Sequence, residues 1–141
     1  MRKTALVPVV AAIAALPAVP ASSAIASGGG TTLHLVATQT SGVNQPHGFS
    51  FTEVLRNTNG KKVGNDLGSC VNTSRTTATC EVGLGLDGGV LVGTFAISDL
   101  QHQQVFHGRI VQGSGAYSGA TGHFTAINRG KTTRISLTYH T

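Results

Sequence analysis

From Leu33 onward, apolar residues recur at every second position in short runs, and Gly, Asn, Asp and Ser gather between the runs. A period of two marks a strand with one buried face, whereas an amphipathic helix needs apolar residues three and four apart. No stretch of the chain carries a convincing helical period, and no sequence repeat is evident. Eight strands are predicted, over Leu33–Thr40, Gly48–Asn57, Lys61–Val71, Thr77–Leu86, Gly89–Ser98, Gln104–Gln112, Gly119–Asn128 and Thr132–Thr141.

Parity assigns the inward faces. The first run offers Leu33, Leu35, Ala37 and Gln39, and the second Phe49, Phe51, Glu53 and Leu55. Runs four and five offer Cys80, Val82, Leu84 and Leu86, then Leu91, Gly93, Phe95 and Ile97. Runs six to eight offer Phe106, Gly108, Ile110 and Gln112, then Phe124, Ala126 and Asn128, then Ile135, Leu137 and Tyr139. These faces line the interior unless an oligomer buries the outside instead, and any bulge reverses the parity beyond it.

The connections are short. Thr58-Asn59-Gly60-Lys61 contains Asn-Gly, the strongest short hairpin signal, and Asp87-Gly88-Gly89 and Arg129-Gly130-Lys131 are further tight links. Short links between all neighbours predict an all-β, up-and-down antiparallel meander. Eight strands suffice to close it into a calycin-like barrel, with room for side chains or one small ligand. A two-sheet sandwich is the structural alternative.

The first 26 residues stand apart. Arg2 and Lys3 precede the small-residue apolar stretch Ala5–Val19, and Ala24-Ile25-Ala26 has the form of a cleavage site. Residues 1–26 therefore read as a cleaved signal peptide, 27–32 as a flexible lead-in, and 33–141 as one barrel domain, secreted and with no membrane span after signal removal. A retained anchor is the rival reading. Export changes the meaning of Cys70 and Cys80, the only two cysteines: at short range they read as one disulfide. A catalytic thiol or a metal ligand is the alternative. Removing Arg2 and Lys3 takes the formal charge from +5 to +3. The remaining basic residues are scattered over predicted strand ends and turns, which describes a solvated surface and no nucleic-acid partner, while a pI near 9.8 leaves a nucleic acid or an anionic surface as the alternative.

Gln112-Gly113-Ser114-Gly115-Ala116-Tyr117-Ser118-Gly119-Ala120-Thr121-Gly122 is glycine-dense and has one large anchor, Tyr117. It reads as the corner between strands six and seven. It resembles the G-G-T-G-A-Y/F-x-G-A-x-G signature of the allene oxide cyclase and dirigent-like barrel superfamily, through Gly113, Gly115, Tyr117, Gly119 and Gly122. Upstream, Asp87-Gly88-Gly89-Val90-Leu91-Val92-Gly93-Thr94-Phe95 is similar to that superfamily's dGG-x-L-x-x-G-x-F segment. The cysteine pair before it resembles the secreted bacterial members. The chain departs from the pattern at Ser114, where Thr is common, and at Thr121, where Arg is common. It offers no residue-by-residue match to the carboxylates and arginines of plant members. The resemblance implies an eight-stranded barrel, often oligomeric, with an apolar cavity at one end. It also implies cyclisation or coupling of a reactive hydrophobic intermediate, usually without a cofactor.

Glu53 is the candidate catalytic residue, because its parity aims a carboxylate among Phe49, Phe51 and Leu55. Desolvation there raises a carboxyl pKa and suits it to general-acid work. An ion pair with an interior arginine, or a bulge that turns Glu53 outward, is the structural alternative. Gln39, Asn128 and Tyr139 are the polar groups expected to orient a ligand, with Phe51 and Phe95 as apolar walls. His107 and Arg109 lie on the opposite face of strand six, as surface residues, and take an interior role only if that strand's parity shifts. The six histidines show no H-x-H or H-E-x-x-H spacing, so no metal is expected. The functional expectation is a secreted barrel that binds a small hydrophobic molecule and guides its cofactor-free cyclisation or isomerisation. The alternatives are a non-catalytic lipocalin-like carrier and a surface interaction module whose barrel is packed shut.

Overall fold

The computed structural model describes residues 29–141. The expected signal peptide and the start of the lead-in lie outside the described residues. Eight strands follow: β1 Thr31–Gln45, β2 Gly48–Asn57, β3 Lys62–Asn72, β4 Ala78–Leu86, β5 Gly89–Ile97, β6 Val105–Gly115, β7 Thr121–Asn128 and β8 Thr132–His140. Each pairs antiparallel with the next, and β8 pairs with β1, so the sheet closes into a barrel. The sandwich alternative is ruled out by that last pairing. Thr31 and Thr32, expected in the lead-in, already belong to β1, opposite Tyr139 and Thr138.

Two strands run further than their apolar pattern does. β1 continues to Gln45 because a bulge between Gln39 and Ser41 lets its backbone go on pairing with β2, as far as Gln45 opposite Gly48. Its pairing with β8 ends at Thr38, so the last part of β1 stands above the rim with β2 as its one neighbour. β6 continues into the glycine motif. A register shift opposite Val92 and Gly93 skips Val111, so Gln112 faces solvent and Gly113 faces inward. Gly113, Ser114 and Gly115 then pair with Leu91, Val90 and Gly89. The corner is therefore shorter than the motif. The chain reverses over Ala116–Ala120, held by Tyr117 N–H to Ser114 O at 3.1 Å and Ala120 N–H to Tyr117 O at 2.9 Å.

The two ends of the barrel differ. Leu55, Leu91 and Leu137 are fully buried toward the end where β6 turns into β7, and Leu33, Val63, Leu86, Tyr117 and Tyr139 pack over them. Tyr117 meets Tyr139 edge-on with ring centres 5.6 Å apart, and its hydroxyl donates to Asp87 O at 3.2 Å. The other end carries a smaller cluster of Cys70, Ala78, Cys80 and Ile97, flanked by Phe49, Phe51, Phe95, Leu100 and Phe106.

Cys70 and Cys80 are directly paired across β3 and β4 and form the disulfide, ten residues apart in sequence. A bridge closing a loop of that size removes unfolded-state freedom worth about 2–3 kcal/mol. Reduction should therefore lower the melting temperature by roughly 10 °C. An unchanged melting curve after thiol counting confirms full reduction would contradict a stabilising bridge.

Candidate functional site

A cavity of about 510 Å³ opens at the end opposite the tyrosine pair. All five phenylalanines of the chain line it: Phe49, Phe51, Phe95, Phe106 and Phe124. Their seating is written into the glycines. The Phe51 ring takes the space that a Cβ at Gly68 would fill, and the Phe124 ring does the same at Gly108. Phe95 packs edge-on against both Phe106 and Phe124, with ring centres 5.7 and 5.9 Å apart. Placing glycines on the same inward face as large rings keeps the wall aromatic while leaving the middle of the barrel hollow.

Two carboxyl groups sit within this apolar wall. Glu53 on β2 and Asp66 on β3 are direct cross-strand partners, and both line the cavity. Asp66 is only 4% exposed, and its Oδ1 has no hydrogen-bond partner among the described residues. Its neighbour on the other side is the buried Leu84 of β4. Like charges opposite each other in a sheet repel, and low dielectric amplifies the repulsion. One shared proton relieves it. Burial, and then the charge of Glu53, push Asp66 up to about 8. Burial also raises Glu53, while its hydrogen bond with Asp66 pulls the other way. Because the charge of Glu53 helps raise Asp66, the pair gives up its protons in two steps, Glu53 first and Asp66 last, at about 8. This gives a carboxylic acid able to donate beside a carboxylate able to accept, a division of roles that acid–base chemistry uses.

The rim is built by the β5–β6 connection. Asp99, Leu100 and Gln103 face the opening. The Gln103 side-chain oxygen accepts the Ser98 N–H at 2.7 Å, which braces the connection. The backbone N–H of Gln101, together with His102, holds the Asp99 carboxyl below its ordinary range. Among the described residues, no three His, Cys, Asp or Glu side chains converge as a metal site requires.

No family model and no curated protein sequence matches the chain. Solved structures do. The barrel is similar to a pyocyanin demethylase, with a TM-score of 0.66 and 21% identity, over 78% of this chain and 100% of that one. It is also similar to a pterocarpan synthase dirigent protein, with a TM-score of 0.62 and 17% identity, over 78% of this chain and 87% of that one. The closed eight-stranded barrel is the fold that this chain shares with these two proteins.

Within this barrel the residues singled out from sequence fall into two groups. Glu53, Phe51, Phe95, Gln39 and Asn128 all line the cavity. Gln39 and Asn128 do so at the exposed rim, where Gln39 Nε2 donates to Ser41 O at 3.3 Å and Asn128 Oδ1 accepts the Gly130 N–H at 2.9 Å. Tyr139 is inward-facing but lies at the closed end with Tyr117, away from the cavity. His107 and Arg109 are on the outer surface. Asp66 is the functional candidate that the apolar pattern did not reveal.

Proposed function

We propose that the barrel takes one small, largely apolar molecule into its open end, and that Asp66 and Glu53 move a proton on it during a rearrangement that needs no bound cofactor. Asp66 delivers its proton to one atom of the substrate, and Glu53 accepts a proton from another. The shared contact between the two carboxyls then returns the proton to Asp66, so the cycle leaves the protein unchanged. The phenylalanine walls hold a single conformer in place, which supplies the positioning component of such catalysis. The observation that carries this reading is a nearly fully buried carboxyl with an unpartnered oxygen, set in the wall of a cavity large enough for a ligand. The names of the two structural neighbours, a demethylase of pyocyanin and a pterocarpan synthase, support a small-molecule site. The protein acts outside the cytoplasm; the pattern of residues 1–26 and the Cys70–Cys80 bridge support that location.

Native mass spectrometry of protein purified without detergent, followed by solvent extraction, tests the binding half and is expected to show one small molecule per barrel. Ala126→Leu enlarges a buried cavity residue and should weaken rebinding of the extracted molecule about tenfold or more while the protein stays folded. Unchanged rebinding would place the ligand elsewhere. For the chemical half, Asp66→Asn should slow conversion of the bound molecule by about 10²–10⁴ while binding changes little. A molecule that is bound and released unaltered by the wild-type protein favours the second reading, a non-catalytic carrier, which the cavity alone supports. The cavity speaks against the third expectation, a barrel packed shut by its phenylalanines.

A further inference from the structure

The charges facing the cavity are all of one sign. β2 contributes Glu53, β3 contributes Asp66, and the β5–β6 connection contributes Asp99. β1, β4, β6, β7 and β8 present only neutral side chains there, and among the described residues no Lys, Arg or His lines the cavity. This is unexpected in a chain that keeps a formal net charge of +3 without Arg2 and Lys3, because a random draw of its charged residues would favour cations. Asp99 at the rim faces His102, with Nδ1 and Oδ2 3.1 Å apart. Neither Glu53 nor Asp66 has a cationic partner among the described residues. The deep pair therefore carries negative charge with nothing among those residues to balance it. Buried carboxylates are ordinarily matched by a cation or by several donors. Here no matching group is found among the described residues, the Asp66 Oδ1 lacks any donor among them, and five aromatic rings line the same cavity. Aromatic faces attract cations and do not attract anions.

We propose that the ligand of this cavity is a hydrophobic organic cation, or an amine that binds in its protonated form, with its positive centre at Glu53 and Asp66 and its apolar body against the phenylalanines. This rests on the ligand-binding reading above and adds the sign of the ligand's charge. Anionic amphiphiles such as fatty acids are excluded by the same charges. A permanent cation competes with the proton that the two carboxyls share. Its affinity should therefore rise with pH and level off above about 8, where Asp66 gives up its proton. Among the described residues, the titratable groups facing the pair from other elements are those already named, so no histidine or lysine of theirs in the cavity complicates the profile.

The test uses three two-ring probes of similar volume: N-methylquinolinium as the cation, 1-methylnaphthalene as the neutral hydrocarbon and 1-naphthoate as the anion. Binding of each is measured calorimetrically to the whole protein across the pH range on either side of Asp66's titration. The expected order is cation, then neutral, then anion, with the cation favoured about tenfold or more over the hydrocarbon once the pair is ionised. The pH-dependent rise belongs to the cation alone. Glu53→Gln with Asp66→Asn should bring cation and hydrocarbon to near-equal affinity, and the wild-type pH profile reads out the same preference without any variant. Hydrocarbon binding as tight as the cation above pH 8, or naphthoate binding best, overturns the inference while leaving a ligand site in place. Failure of all three probes to bind overturns both this inference and the ligand-binding reading.

Discussion

Raising the pH toward 8 is expected to cost the barrel much of its stability, and Asp66→Asn should escape most of that loss. Asp66 ionises at 3.8 in ordinary surroundings and at about 8 in the folded barrel. Between those values the native state keeps a proton that the unfolded chain releases. The sign follows: native protein binds more protons than unfolded protein, so stability is fully present below the unfolded value and falls as pH rises through the folded one. The slope is up to about 1.4 kcal/mol per pH unit, so the whole window amounts to about 6 kcal/mol at most. A domain of this size holds roughly 5–15 kcal/mol in total, so the effect is large. Glu53 is raised as well, and acts in the same direction. Asparagine in place of Asp66 keeps the shape, can donate to Glu53, and has no proton to lose. Denaturant unfolding at a series of pH values checks this. A wild-type stability that stays level from about pH 5 to about pH 8 would show that the two carboxyls do not share a proton in a dry wall.

Gly113→Ala should be nearly as damaging, by about 3 kcal/mol or more, a fall in melting temperature of about 10–20 °C. Gly113 pairs with the buried Leu91, and a Cβ there would run into the backbone carbonyl of Tyr117, with the Ala120 Cβ also only 3.0 Å away. That carbonyl cannot step aside, because it accepts the Ala120 N–H that closes the corner. Gly119→Ala is the informative contrast. Gly119 has nothing within 4 Å of its would-be Cβ, but its φ of 77° lies in the left-handed region. Alanine there should cost about 1–2 kcal/mol from backbone strain alone. Two glycines of one motif thus have different physical duties, close approach and chain reversal. Equal melting temperatures for the two variants would contradict that separation.

The strands were legible because one face of each is dry and the other wet, and a period of two survives even in a glycine-rich chain. Glu53 was legible for the same reason. Asp66 was hidden by its own strand. In Lys62–Asn72 the inward positions next to it are Gly64 and Gly68, and the large apolar residue, Leu67, points outward and is exposed, so no alternation announces the face. The usable signal was the disulfide. Directly paired cysteines share a face, so the inward parity of Cys80 fixes Cys70, and counting down by twos reaches Gly68 and then Asp66. Tyr139 shows a different limit. Parity says which side of the wall a residue faces, but its height along the barrel depends on strand register, and the register sets Tyr139 opposite Gly122 at the closed end. Bulges account for the remainder. Those after Gln39 and beside Val111 carry no residue pattern that distinguishes them from plain strand, yet each reverses the faces beyond it.

The tyrosine pair and the leucines beneath it make the cavity a blind well, because the chamber has a mouth at one end and packed side chains at the other. Traffic is therefore one in, one out. Whatever leaves must back out past Asp99 and Gln103 before the next molecule can enter. Under the proposed function, steady-state kinetics would show product competing with substrate for the same opening, and no complex holding both at once.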